Sequence, residues 1–147
     1  MILQTATTSF KMELLQGVHN FGPASPDTFK IALYTATANL GPDTTAYGAG
    51  GEVVGAGYVA GGNTLSVSVS PTAGNNSSNT PTAYIGFAPT SWAGASFTAR
   101  AALIYNASQG NKSVAVLDFG SDKTASNNTF LVTFPTADAN SAIVRIS

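Results

Sequence analysis

Few side chains in this sequence can do chemistry, and their spacing limits what that chemistry is. His19 is the only imidazole. It follows the stripe Phe10, Leu14, Val18, where a cationic ring would meet the free carbonyls of a helix end, so a capping role is expected rather than general-base work. A serine hydrolase holds its nucleophile on a sharp turn, and no Gly-x-Ser-x-Gly elbow occurs. Asp118 and Asp122, in LDFGSDK, come nearest to a glycosidase pair. At a strand end followed by a turn they are expected to accept backbone amides and to pair with Lys123. Together with the carbonyls of Ser126, Asn127 and Asn128 they offer hard oxygen donors to calcium, but the spacing matches no calcium loop. Without cysteine there is no thiol nucleophile, thiolate metal site or disulfide. GAGGEVVGAG lacks the Lys-Ser/Thr and the following helix that a phosphate cradle needs. No catalytic, cofactor-binding or metal-binding residue is therefore expected, and the protein is read as a non-enzyme.

What remains are side chains suited to contact. Tyr47, Tyr58 and Trp92 lie in stretches rich in glycine and alanine. They suit an interface or sugar stacking, although Trp92 could instead plug one end of the core. Arg100 is a charge inside FTARAALIY, where alternation places it with Thr98 and Ile104, either solvated or paired with an acid.

The elements that must position these residues are mostly strands. Residues 9–21 read as one helix, with Thr8 or Ser9 as cap and Gly22-Pro23 and Ser25-Pro26 beyond it. From Thr28 the period becomes two. Phe29, Ile31 and Leu33 alternate with Lys30, Ala32 and Tyr34, as in a half-buried strand. Leu65, Val67 and Val69 alternate with serines, and Phe97 to Tyr105 repeat the pattern. Shorter candidates are 84–87, 113–119, 129–134 and 142–146, with one near 52–54. Turn signals stand at Gly61-Gly62-Asn63, Gln109-Gly110-Asn111, Ser126-Asn127-Asn128 and Asp138-Ala139-Asn140. One domain over 1–147 is expected, an all-β antiparallel sandwich or jelly roll with a helical N-terminal segment. Phe29, Ile31, Leu33, Leu103, Val116, Phe130 and Val132 should lie in its core. Two long loops are expected, 36–51 and the solvent-facing PTAGNNSSNTP of 71–81.

Composition narrows the function classes. Charged residues are 9% of the 147, where about 25% is usual, and the net charge is -1. So neutral a surface argues against nucleic acid and anionic membrane as partners. It suits a chain packed beside copies of itself or a large partner. No apolar run is long enough to span a bilayer, and MILQTATTSFKMELL lacks the regions of a signal peptide, so neither spanning nor secretion by that route is expected. The Asn-x-Ser/Thr triplets at Asn75, Asn76, Asn106, Asn111 and Asn127 then read as a by-product of composition.

SFKMELLQGVHNF with DTFKIALYTATANLG, then TTAYGAGGEVVGAGYVAGGNTL, then SWAGASFTARAALIYN with KSVAVLDFGSDKTASNNTFLVTFP, and finally AIVRI, cover most of the chain. In this it resembles a family of tailed-bacteriophage virion structural proteins. PTAGNNSSNTP departs from the pattern as an extended loop. The resemblance implies a non-enzymatic particle component, made in the bacterial host cytoplasm and resident in the virion. Length, sandwich and bland charge favour a capsid cement (decoration) protein that clamps neighbouring major capsid protein subunits from outside. It would also pair with itself as a homo-dimer or homo-trimer. A tail, neck or fibre component and a host-glycan-binding module are the alternatives. The segments expected to touch the shell are residues 1–8 and the 36–51 loop with Tyr47.

Overall fold

The computed structural model describes every residue from Met1 to Ser147. Its frame is one long antiparallel ribbon, in which β6 (Thr90–Asn106) and β7 (Lys112–Val132) pair from Thr90 opposite Val132 to Asn106 opposite Lys112. A single 3₁₀ turn over Ala107–Gln109 closes the ribbon at the expected turn, with Gly110 and Asn111 left-handed at φ 67° and 60°. β1 (Thr5–Ala6) adds to β7. β2 (Phe29–Tyr34) adds to the other side of β6, and β3 (Asn63–Leu65) to β2. The second sheet has the order β4 (Val67–Asn75), β5 (Pro81–Phe87), β8 (Val144–Ile146). Every strand pairing is antiparallel, so the chain is an all-β sandwich with one short helix, α1 (Thr8–Leu15).

The seven expected core residues are all buried, but they serve two cores. Phe29, Ile31 and Leu33 face β5 across the sandwich, where Ile85 and Phe87 meet them. Ala32 and Tyr34, on the other face of β2, are equally buried, against Leu103, Tyr105, Val116 and Leu40. The half-buried reading of β2 is therefore corrected: segment 36–51 and the N-terminus cover what would have been its solvent face. Alternation also fails along β6. A register shift between Ala99 and Ala101 moves Ala102 and Ile104 into the inter-sheet core with Phe97, and Leu103 to the opposite face. Arg100 stands at that shift and does not share a face with Ile104.

Other differences are of the same kind. Leu65 and Val67 belong to different sheets, because the chain crosses between them at Ser66. The stretch 71–81 is a β-hairpin, not a loop: β4 runs to Asn75 and a turn closed by Asn76 returns it to Pro81. The stretches 113–119 and 129–134 join in one strand, with Asn127 at φ 49° absorbing the turn signal as a bulge. At 52–54 there is a single bridge from Glu52 to Tyr34.

The helix is shorter than its stripe. Thr7 caps it, accepting from the Phe10 amide at 3.4 Å. Gly17, left-handed at φ 69°, ends it, as the Gly17 amide donates to the Leu14 carbonyl and the Val18 amide to that of Glu13. This is a Schellman stop. It leaves Val18, His19 and Phe21 to pack as an irregular segment. No helix is long and apolar enough to cross a membrane.

Candidate functional site

His19 lies beyond the helix end, so the capping role is wrong. Its side chain is fully enclosed between Glu13, Asn106 and the rings of Phe10 and Phe21. The Asn106 side-chain oxygen Oδ1 accepts from the Ser108 amide, which makes Nδ2 the end that donates to Asp27 (2.7 Å) and to His19 Nδ1 (3.0 Å). His19 is thereby fixed with its proton on Nε2, donating to Glu13 Oε2 at 2.8 Å. Lys112 donates to the other oxygen of Glu13 at 2.7 Å. Burial pushes the Glu13 carboxyl up, but the bonds from Lys112 and His19 outweigh it and leave the group below its usual value. Asp27 behaves alike: burial raises it, and donors from Asn20, Asn106 and Gln109 bring it lower. The network ties α1, residues 19–27 and the β6–β7 turn together, with both ring nitrogens occupied.

Asp118 is engaged by Arg100, not by Lys123. The guanidinium Nε donates at 3.0 Å, and that bond, with the Gly120 amide at 2.8 Å, holds the Asp118 carboxyl below its usual range. Lys123 donates to Ser121 instead. No three His, Asp or Glu side chains gather as a metal cluster would require.

The three contact aromatics are turned inward. Trp92 is buried in the core against Tyr58 and Phe130, as its reading as a core plug expected, which removes it from the interface candidates. Tyr47 and Tyr58 are half-buried, and their hydroxyls donate to Glu52 at 2.7 Å each. The Gly61 amide donates to the same carboxylate, while the Tyr105 hydroxyl reaches the Gly61 carbonyl and that of Tyr34 the Gly48 carbonyl. Burial first and Glu52 second push the Tyr58 phenol up strongly and that of Tyr47 up to about 12. Glu52 thus fastens the 46–61 segment over the sheet. It is the only charged residue between Asp43 and Arg100, which was the signal in the sequence that could have found it.

Two surfaces remain open. Residues 1–8 are partly core: Thr5 and Ala6 are strand, and Thr7 is fully buried, bonded to Ser113 at 2.9 Å. The first three residues lie along the 36–51 segment, with the Leu3 amide on the Leu40 carbonyl and the Leu40 amide on the Met1 carbonyl, both 2.9 Å. The two segments expected separately to touch a shell therefore form one surface. It holds a groove of about 460 Å³ edged by Met1, Leu3, Pro42 and Thr45, with Asp43 its one acidic side chain. The second surface lies between α1 and β8, where Leu15 is 92% and Ile146 58% exposed.

No family model, curated protein or solved structure matches this chain. Its function must be argued from these surfaces and from the sequence.

Proposed function

We propose that this chain is a tailed-bacteriophage cement protein, bound outside the head across boundaries between major capsid subunits, with no catalytic role. The observation that carries the reading is the joint surface of residues 1–3 and 39–46, hydrogen-bonded in place yet exposing Met1 and Leu3. Apart from Asn39 and the single acid Asp43, its groove is lined by aliphatic, threonine and backbone groups, so it suits a contact made mainly by burial and hydrogen bonding rather than by charge. A homo-oligomer presenting several such surfaces raises the local concentration of each second contact, often to about millimolar, so weak individual contacts make a tight clamp. The segments quoted above for their resemblance to phage virion proteins point the same way. The enclosure of the sole imidazole supports the non-enzymatic half of the proposal.

The test is to assemble particles with and without the protein and measure the temperature at which they release DNA. Loss of the protein should lower it, and Leu3→Asp should weaken retention on heads while leaving the melting temperature of the free protein unchanged. Unchanged DNA release, with normal heads but missing or non-adsorbing tails, would reject the cement role in favour of a tail, neck or fibre component. A glycan-binding role has less support, because Tyr47, Tyr58 and Trp92 spend their hydroxyls or faces on internal contacts.

A further inference from the structure

The sandwich is unfinished along one edge. β1 ends the larger sheet and β8 the smaller, and α1 lies between them without pairing to either. Two grooves of about 310 and 570 Å³ flank the helix and share Phe10, Leu14, Val144, Arg145 and Ile146, so they form one trough. Its floor is apolar. Its free side-chain charges are both positive: Lys11 and Arg145 are exposed and make no ion pair, Arg145 donating only to the Ala142 carbonyl, whereas the nearby Glu13 is buried and taken by Lys112 and His19. Along one wall β8 is hydrogen-bonded to β5 on one side only, leaving a short row of main-chain groups free on the other.

From this charge complementarity we propose that the trough is a second docking site, for an extended segment of a different protein in which apolar residues alternate with carboxylates. Alternation puts the apolar side chains on one face and the acids on the other, matching an apolar floor and a cationic rim. A second copy of this chain does not supply such a segment. Its acids bonded to no other side chain are Asp43, in the turn over 41–44; Asp138, whose carboxylate takes the Asn140 and Ser141 amides; and Asp122, at a break in the β6–β7 register. None lies in a stretch where apolar residues alternate with carboxylates. The site is separate from the surface of residues 1–3 and 39–46, and it stands or falls independently of the cement role.

The experiment uses the purified full-length protein and two fluorescein-labelled heptapeptides, one alternating valine with glutamate and one alternating valine with lysine, read by anisotropy. The glutamate peptide should bind saturably and roughly tenfold more tightly than the lysine peptide, the scale of two exposed ion pairs turned to repulsion. The double variant Lys11→Glu, Arg145→Glu should invert the preference. Both positions are exposed, so the variant should stay folded, with its melting temperature lowered only slightly by loss of the Arg145 bond to the Ala142 carbonyl, and Ile146→Ser provides a second probe that should weaken both peptides. N-methylation of alternate amides in the glutamate peptide should abolish binding if β8 is extended. Equal binding of the two peptides, or no binding, overturns the proposal. So does binding to phosphatidylglycerol vesicles through the same residues without peptide binding, and so does a dimer that Ile146→Ser dissociates.

Discussion

Glu52 is the residue on which the seating of segment 46–61 depends. Removing it leaves two tyrosine hydroxyls and the Gly61 amide without their acceptor, and each buried donor so orphaned costs about 1–3 kcal/mol. Glu52→Ala should therefore lower unfolding stability by about 3 kcal/mol or more in urea titration, whereas Tyr47→Phe, at a half-buried ring, should cost about 1 kcal/mol. An equal effect of the two would mean that the carboxylate does not hold the segment. Trp92 makes the opposite case. Its Nε1 is buried and has no hydrogen-bond partner, so Trp92→Phe loses packing but no hydrogen bond and removes an unsatisfied donor. It should cost clearly less than the about 3–5 kcal/mol expected of Trp92→Ala.

At the scale of elements, the closest constraint is the approach of Gly62 to β2. Gly62 has φ 65°, and a Cβ there would collide with the Ile31 carbonyl oxygen, which belongs to strand backbone and has little room to move. Gly62→Ala should thus cost well beyond the about 1–2 kcal/mol of a left-handed residue alone, the scale expected for Gly17→Ala, whose Cβ meets open space. Comparing the two by thermal melting separates steric collision from conformational preference. The same local logic decides what could be read beforehand. Strand β2 shows in its alternation, and the closure at Gly110-Asn111 in its turn residues, because both are local signals. The face of Arg100 was not legible, since a single register shift inverts alternation without any mark in composition. Nor was the span of β7, where Asn127 suits a bulge as well as a turn. The Glu52 anchor and the His19 network were hidden for another reason: each joins residues far apart in the chain, and spacing carries no information about such contacts.

For the whole molecule, stability should fall at both ends of the pH scale. Glu13, Asp27 and Asp118 sit below their ordinary values when folded, so the unfolded chain takes up protons first. Their contribution is present above about pH 4 and is lost as pH falls through the folded values. Tyr34, Tyr47, Tyr58 and Tyr105 are raised, chiefly by burial with Glu52 adding. The unfolded chain then loses phenol protons first, and stability declines from about pH 10 upward. Apart from the share of Tyr84, which lies outside this cluster, near-ultraviolet phenolate absorbance should rise together with loss of the strand circular dichroism signal, and ionisation of the other four tyrosines well ahead of unfolding would contradict the buried cluster. The sparse charge also predicts a homo-dimer or trimer insensitive to salt, and a monomer by light scattering at high micromolar concentration in low and high salt would refute it. The pairing of Thr5 with Val116 has a consequence for biosynthesis. β1 leaves the ribosome more than a hundred residues before its partner at Val116, and the β6–β7 ribbon cannot form until β7 has been made. The nascent chain must wait with Phe29, Ile31 and Leu33 uncovered and little charge to keep neighbouring chains apart. Apolar association weakens on cooling and fewer chains wait at once, so expression at low temperature should favour soluble yield.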